Sequence, residues 1–221
     1  MKSNTRARTH AATTSLTFIR HGETDWNRQQ RFQGQIDVPL NAAGHAQAAR
    51  LAQAMAGSPP DVFLSSDLIR AQMTAAPLAQ AWARTPLLVP GLREQSFGVF
   101  EGLDLPAIRA QHEPLWQDWL HHRADFNLPG GESLRQFSAR VLQSVQALAQ
   151  THRGQRVVVV THGGVLDVLW RSVRNLPLDG QRECAIPNTG INRLRWVDGR
   201  LVIDDWADAA HLAGLPEQAA T

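Results

Sequence analysis

Three features of the 221-residue chain predict an α/β fold, a three-layer α/β/α sandwich on a mostly parallel sheet with an antiparallel edge. Short apolar runs alternate with amphipathic helical stretches. The strongest run holds four consecutive valines, 157–160, as expected of a strand buried on both faces. Near the end, two alternating segments flank Asp198-Gly199, a hairpin signal that places antiparallel strands at one edge.

Residues 16–19 form the first strand, which stops at Arg20, His21 and Gly22. Asn41 is suited to cap a helix over 42–56, closed by Gly57. Residues 61–65 (DVFLS) read as a strand, and Asp67 as the cap of a helix over 68–83 that Pro77 kinks. A short strand follows at 86–89. Within a less regular stretch, residues 105–123 show helical periodicity, with Ile108, Leu115, Trp119 and Leu120 on one face. The segment 127–131 (NLPGG) breaks the chain, and 132–151 resumes as an amphipathic helix. The valine strand, 156–160, ends in Thr161-His-Gly-Gly164, with a helix to 174. The hairpin pairs 192–197 with 201–206. The expected organisation is a disordered tail over 1–15, one domain over 16–206 with an insertion at about 95–131, and a C-terminal tail over 207–221.

Composition excludes several chemistries. The chain has a single cysteine, Cys184, so neither an internal disulfide nor a Cys-rich zinc site is available. Of 22 basic residues, only Lys2 is lysine, which leaves no amine for a P-loop or a Schiff base. Anions must therefore be held by planar guanidinium groups. A net charge of +2 without basic runs does not point to nucleic acid. No apolar stretch approaches membrane-spanning length, and the first fifteen residues lack the apolar core of a secretory signal. A cytoplasmic location is the expectation, with a homodimer as an open possibility.

His21 and His162 each end an apolar strand and precede glycine. Open α/β sheets bind ligands at carboxyl ends of strands, and the helix after Gly163 aims free N–H groups at that place. A lone strand-end histidine is commonly structural; two in matched settings suggest a site. A metal centre is the rival reading, with Glu23 and Asp25 as further ligands, but neither H-E-x-x-H nor H-x-H spacing occurs. Taken alone, Arg70 reads as a solvated helical arginine and Glu94 as a surface carboxylate.

Arg20-His-Gly-Glu-Thr-Asp-Trp-Asn27 resembles the signature of the histidine phosphatase superfamily, also called phosphoglycerate mutase-like. Further blocks follow in family order: Arg31-Phe-Gln-Gly34, Asp37-Val-Pro-Leu-Asn41, the stretch from Leu64 to Thr74, Leu92-Arg-Glu94, Pro129-Gly-Gly-Glu-Ser133, Val160-Thr-His-Gly-Gly164 and Asn188-Thr-Gly-Ile-Asn192. The resemblance spans about 16–206 and implies a phosphoglycerate mutase-like fold. It implies His21 as the nucleophile that takes the phosphoryl group and Glu94 as the acid that protonates the leaving oxygen. His162, Arg20 and Arg70 would form the cationic phosphate pocket, with Asn27 and the Gly163 N–H as added donors. No metal and no cofactor are implied, and the partner would be a small-molecule phosphate ester.

Phosphoryl transfer rewards positioning and charge, which two guanidiniums and a second imidazole supply. A nearby phosphate dianion favours the acid form of Glu94. The short interval 95–161, without an Arg-Arg pair, together with the FQGQ and PGGES blocks, is more similar to the small phosphatase branch than to cofactor-dependent mutases. A metal-independent phosphomonoesterase acting through phosphohistidine is therefore expected. The alternatives are mutase-like transfer and a phosphate-binding regulatory protein without turnover. Trp116 and Trp119 are expected to pack the inserted helix rather than stack on substrate, His112, His121 and His122 to face solvent, and Arg109 and Arg123 to lie on the surface, with binding of a second anionic group of the substrate as the alternative for these two arginines. Cys184 is expected to be a buried small residue.

Overall fold

The structure, a computed structural model, describes residues 13–216 apart from residue 122. Six strands form one sheet: β1 (Thr14–Arg20), β2 (Val62–Ser65), β3 (Leu87–Leu88), β4 (Arg156–Thr161), β5 (Ile191–Val197) and β6 (Arg200–Asp208). Their order is β3-β2-β4-β1-β5-β6. The pairs β3–β2, β2–β4 and β4–β1 are parallel, whereas β5 runs antiparallel to both β1 and β6.

The valine run shows why both faces are covered. Side chains alternate along a strand. Val157 and Val159 enter one core cluster with Leu16, Phe18, Phe137 and Val165. Val158 and Val160 enter the other with Ile19, Phe63, Ala71 and Leu78. Helices α2 (Ala42–Met55) and α3 (Ile69–Trp82) cover the second face, and α5 (Leu134–Thr151) and α6 (Gly163–Arg174) cover the first. A third cluster, around Phe100, Ile108 and Leu128, gathers Phe32, Phe97, Trp116 and Trp119 under α4 (Leu105–Leu120).

Several boundaries differ from the sequence expectation. Strand β1 begins at Thr14, so residues 14–15 are strand rather than tail; the rest of that expected tail, 1–12, lies outside the described residues. At the other end β6 continues to Asp208, and a 3-10 turn at Ala210–Leu212 brings His211 Nε2 to 3.1 Å from Thr189 Oγ1. Residues 207–212 are thus part of the fold, and 217–221 lie outside the described residues. Asp67 does not cap α3. It is held in a two-pronged ion pair by Arg93, while Asp37 accepts the Ile69 N–H at 2.7 Å from 32 residues upstream. Helix α3 runs through Pro77 as one element, whereas α4 breaks at His112, two residues before Pro114. Helix α4 stops at Leu120, which is exposed. Helix α5 starts after Ser133 in a capping box with Gln136, and Glu132 instead pairs with Arg140. A four-residue helix, α1 (Asp25–Arg28), went unpredicted because its only signals are the Thr24 cap and its reciprocal partner Asn27.

Candidate active site

Strand register builds the site. Arg20 lies opposite Thr161 in the parallel β1–β4 pair, so the next residues, His21 and His162, leave the sheet side by side. Their ring centroids are 5.3 Å apart. Backbone bonds fix the turn that carries His21: its N–H donates to Thr161 O, its carbonyl accepts from Asn188 Nδ2, and the Gly22 N–H donates to Thr74 Oγ1. Only glycine fits at Gly22, because a Cβ there would lie 2.7 Å from Gly44 O, where α2 abuts the turn.

His21 Nδ1 is 2.7 Å from Gly22 O. A carbonyl only accepts, so the ring proton sits on Nδ1 and the Nε2 lone pair is left available. Burial, then Arg70 and Arg20, hold the His21 pKa well below the usual histidine range. Burial, then Arg70 and His21, do the same to His162. Both rings are neutral near pH 7. His162 Nε2 lies 2.7 Å from Ser66 Oγ, while its Nδ1 is buried with no hydrogen-bond partner.

Arg70 is the largest fully buried side chain of the described residues, at 0% exposure. Its Nη groups donate to Ile36 O and Gly34 O at 2.9 and 2.7 Å, and its Nε has no partner. Arg20, also buried, donates to Ile186 O at 2.5 Å. Burial lowers both guanidinium pKa values to about 10, which leaves them charged at neutral pH. For Arg20 the neighbouring Arg182 adds to the lowering, and Glu94 opposes it.

Glu94 is reached through the 3-10 turn Pro90–Leu92. Its Oε2 accepts the Gly164 N–H at 3.0 Å, which caps α6 with a carboxylate, and its Oε1 accepts the Gln95 N–H. A Cβ at Gly164 would collide with that carboxylate. Gly163 opens α6 beside Arg20, and Asn27 lines the cavity with its Oδ1 held by the Thr24 N–H and hydroxyl.

These groups surround the floor of a cavity of about 730 Å³. All seven sequence-predicted residues gather there, with His162 and Gly163 just behind the lining. Four participants were missed. Ser66 contacts His162. Arg140 on α5 ties down the 91–94 loop through Gly91 O, Arg93 O and Glu94 O at 3.0 to 3.2 Å. Arg31 and Arg182 line the cavity wall. Arg140 and Arg182 carry no local sequence signal, because each acts on partners distant in sequence, whereas Arg31 and Ser66 lie within the family-like blocks 31–34 and 64–74. Trp119, Leu120 and Arg123 also line the cavity, which favours the substrate-facing alternative for Trp119 and Arg123 over packing or surface exposure alone. Arg109 is exposed, as expected, and lies outside the lining. His122 lies outside the described residues. Cys184 is only half-buried, and burial raises its thiol pKa to about 11. Among the described residues, no group of three or more His, Cys, Asp or Glu is arranged to hold a metal ion, and no helix is long and apolar enough to cross a membrane.

Two neutral imidazoles, two buried guanidiniums and a carboxylate meet at the carboxyl ends of parallel strands, an arrangement suited to stabilising a transferring phosphoryl group, and the family and relatives that the chain matches support a phosphoric monoester hydrolase. The chain belongs to the histidine phosphatase superfamily, branch 1, whose family model matches residues 16–209. It is 33% identical over 205 residues to a metal-independent phosphoserine phosphatase of Arabidopsis thaliana, covering 91% of this chain and 84% of that one. It is 35% identical over 201 residues to phosphoglycerate mutase-like protein 4 of the same plant, covering 89% and 86%. Among solved structures, a mutant phosphoserine phosphatase of Entamoeba histolytica in complex with phosphoserine is similar, with a TM-score of 0.80 and 26% identity over 90% of this chain and 99% of that one.

Proposed function

We propose that this enzyme hydrolyses a small phosphorylated metabolite through a phosphohistidine at His21, without a metal. The observation that carries this reading is the His21–His162 pair, 5.3 Å apart between buried Arg20 and Arg70. The Nε2 lone pair of His21 attacks phosphorus in line. The N–P bond forms as the P–O ester bond breaks, and Glu94 gives its proton to the departing oxygen. Water then attacks the phosphohistidine, Glu94 takes back a proton, and phosphate leaves with His21 restored.

Arg20, Arg70 and His162 bind the equatorial oxygens. The Ser66 hydroxyl accepts the Leu68 N–H at 3.3 Å and gives its own proton to His162 Nε2. That places the His162 proton on Nδ1, where a phosphoryl oxygen satisfies the unpartnered nitrogen. Arg70 Nε is satisfied in the same way. Asn27, whose Oδ1 is already engaged, adds its amide N–H, and Gly163 adds its backbone N–H.

The short interval 95–161, without an Arg-Arg pair, supports hydrolysis over mutase transfer. A pocket of about 730 Å³ is of a size that holds a drug-sized ligand. A small ester leaves room there for attacking water. We assign residues 16–206 to one catalytic domain with 95–131 as an insertion over the cavity, and a cytoplasmic location without nucleic-acid partners; a homodimer fits this reading. Phosphate release across a metabolite panel in EDTA tests it. Turnover should match that without chelator, because guanidiniums supply the charge. A loss restored by zinc or magnesium contradicts it.

A further inference from the structure

The turn that carries His21 leans on a second loop, 187–190, which enters β5. The Thr189 N–H donates to Arg20 O at 3.0 Å, and Asn188 Nδ2 donates to His21 O at 2.9 Å. In return Gly190 O accepts the Arg20 N–H at 3.4 Å. Thr189 makes its bond from the left-handed region, at a φ of 55°, and is fully buried. Glycine adopts that region freely, whereas a β-branched residue there is strained. Such strain persists where the surroundings over-determine the conformation, and it gathers at functional sites. What holds Thr189 therefore bears on the aim of His21.

The Thr189 hydroxyl meets one ring. Its Oγ1 lies 3.1 Å from His211 Nε2. His211 sits on the 3-10 turn Ala210–Leu212, past residue 209, where the family-model match ends. That turn is tied back to the same loop. Asp208 pairs with Ile191 in the β5–β6 ladder, and its Oδ1 accepts the Ala210 N–H at 3.2 Å. Asn192 Oδ1 accepts the Ala207 N–H at 2.9 Å, while Asn192 Nδ2 donates to Phe18 O and Gly190 O at 3.1 and 3.3 Å. Burial lowers the His211 pKa against the pull of Asp208, which keeps the ring neutral near pH 7. Its Nδ1 is buried without a partner, so among the described residues the ring makes its one hydrogen bond to Thr189.

We infer that His211 is a positioning residue: through Thr189 it fixes the backbone that aims His21 at phosphorus. The inference rests on the reading of His21 as the nucleophile. Paired substitutions test it. His211→Leu and Thr189→Val each remove the bond and keep the bulk, whereas His211→Gln and Thr189→Ser keep a bonding group at the same place. Each disrupting variant should slow single-turnover phosphorylation by p-nitrophenyl phosphate about 10–100-fold, the span that a misplaced reacting group costs. Inhibition by inorganic phosphate should change far less, because the groups that bind its oxygens remain. The loss should be the same with alkyl esters, since Glu94 is untouched. The double variant His211→Leu/Thr189→Val should be no slower than the slower single one, and the Gln and Ser variants should recover most of the rate. The ¹H and ¹⁵N signals of the His21 ring should move in the disrupting variants. Assays well below each melting temperature separate this effect from lost stability, and the Thr189 pair carries the test if His211→Leu does not fold. An unchanged phosphorylation rate overturns the inference. So do unmoved His21 signals, or losses that add in the double variant. Phosphoryl label on a residue other than His21 rejects the nucleophile reading instead; His21 signals that still depend on His211 then keep the buttress on its own.

Discussion

The floor and the rim of the cavity are built by different means. On the floor, strand register and backbone hydrogen bonds place His21, His162 and Arg20, and Arg70 reaches two carbonyls of the loop that precedes α2. Every one of these side chains is at most 5% exposed. The rim is made of side chains on α4, on the 177–182 loop and beside the aromatic cluster, and much of it faces water. On the proposed mechanism, the groups that hold the reacting phosphorus are the over-determined ones. Groups that recognise the rest of the substrate rest on fewer constraints and can vary without unmaking the chemistry. Glu94 stands between the two, fixed by the α6 N-terminus and by the Arg140 clasp yet lining the open cavity.

Replacing Glu94 probes that boundary hardest. Glu94→Gln should slow phosphorylation of His21 by roughly 10²–10⁴-fold with alkyl esters, the range of general acid catalysis. The loss should shrink with p-nitrophenyl phosphate, whose leaving group needs little protonation. Equal losses across leaving groups of different basicity would move the acid elsewhere, with Glu101 next to examine. Glu101 is on the same segment, but its Oε1 accepts the Gln35, Phe97 and Ser96 donors.

A smaller effect sharpens the account of the floor. Ser66→Ala should lower kcat by about 10–100-fold, since a buried ring nitrogen loses its partner. The ¹⁵N shifts of His162 should report a change in tautomer, which simple packing loss would not produce. Unchanged shifts together with unchanged kcat would remove Ser66 from the mechanism.

The remaining effect concerns stability rather than rate. The unfolded chain protonates each histidine below about pH 6.5, whereas the folded chain keeps His21 and His162 neutral. Their contribution to stability is therefore complete above that pH. It falls as pH drops below it, by about 1.4 kcal/mol per pH unit for each histidine, until the depressed folded values are reached. Urea midpoints between pH 7 and pH 5 should show this decline, and His21→Asn should make it shallower. A slope unaffected by that substitution would mean that His21 is charged in the free enzyme.

What the sequence makes legible follows the same division. His21, Arg20 and His162 could be read from apolar strands ending in His-Gly. Arg70 could be read only through resemblance, because an arginine on a helix ordinarily faces water; here it turns inward to carbonyls 34 and 36 residues away. Asp67 does not cap α3 for a related reason. A local rule chose the adjacent acid, and tertiary structure brought in Asp37. Arg140 and Arg182 carry no local pattern at all, because their meaning lies in loops that only folding brings near.

The central claim is that the floor forms a covalent bond to phosphorus at His21. The direct measurement is rapid-quench trapping with an ester labelled in its phosphoryl group, followed by peptide mapping. The label should sit on the peptide containing His21, survive alkali and be lost in acid, and His21→Ala should abolish both label and turnover. Label on any other residue, or near wild-type turnover in His21→Ala, would contradict the account.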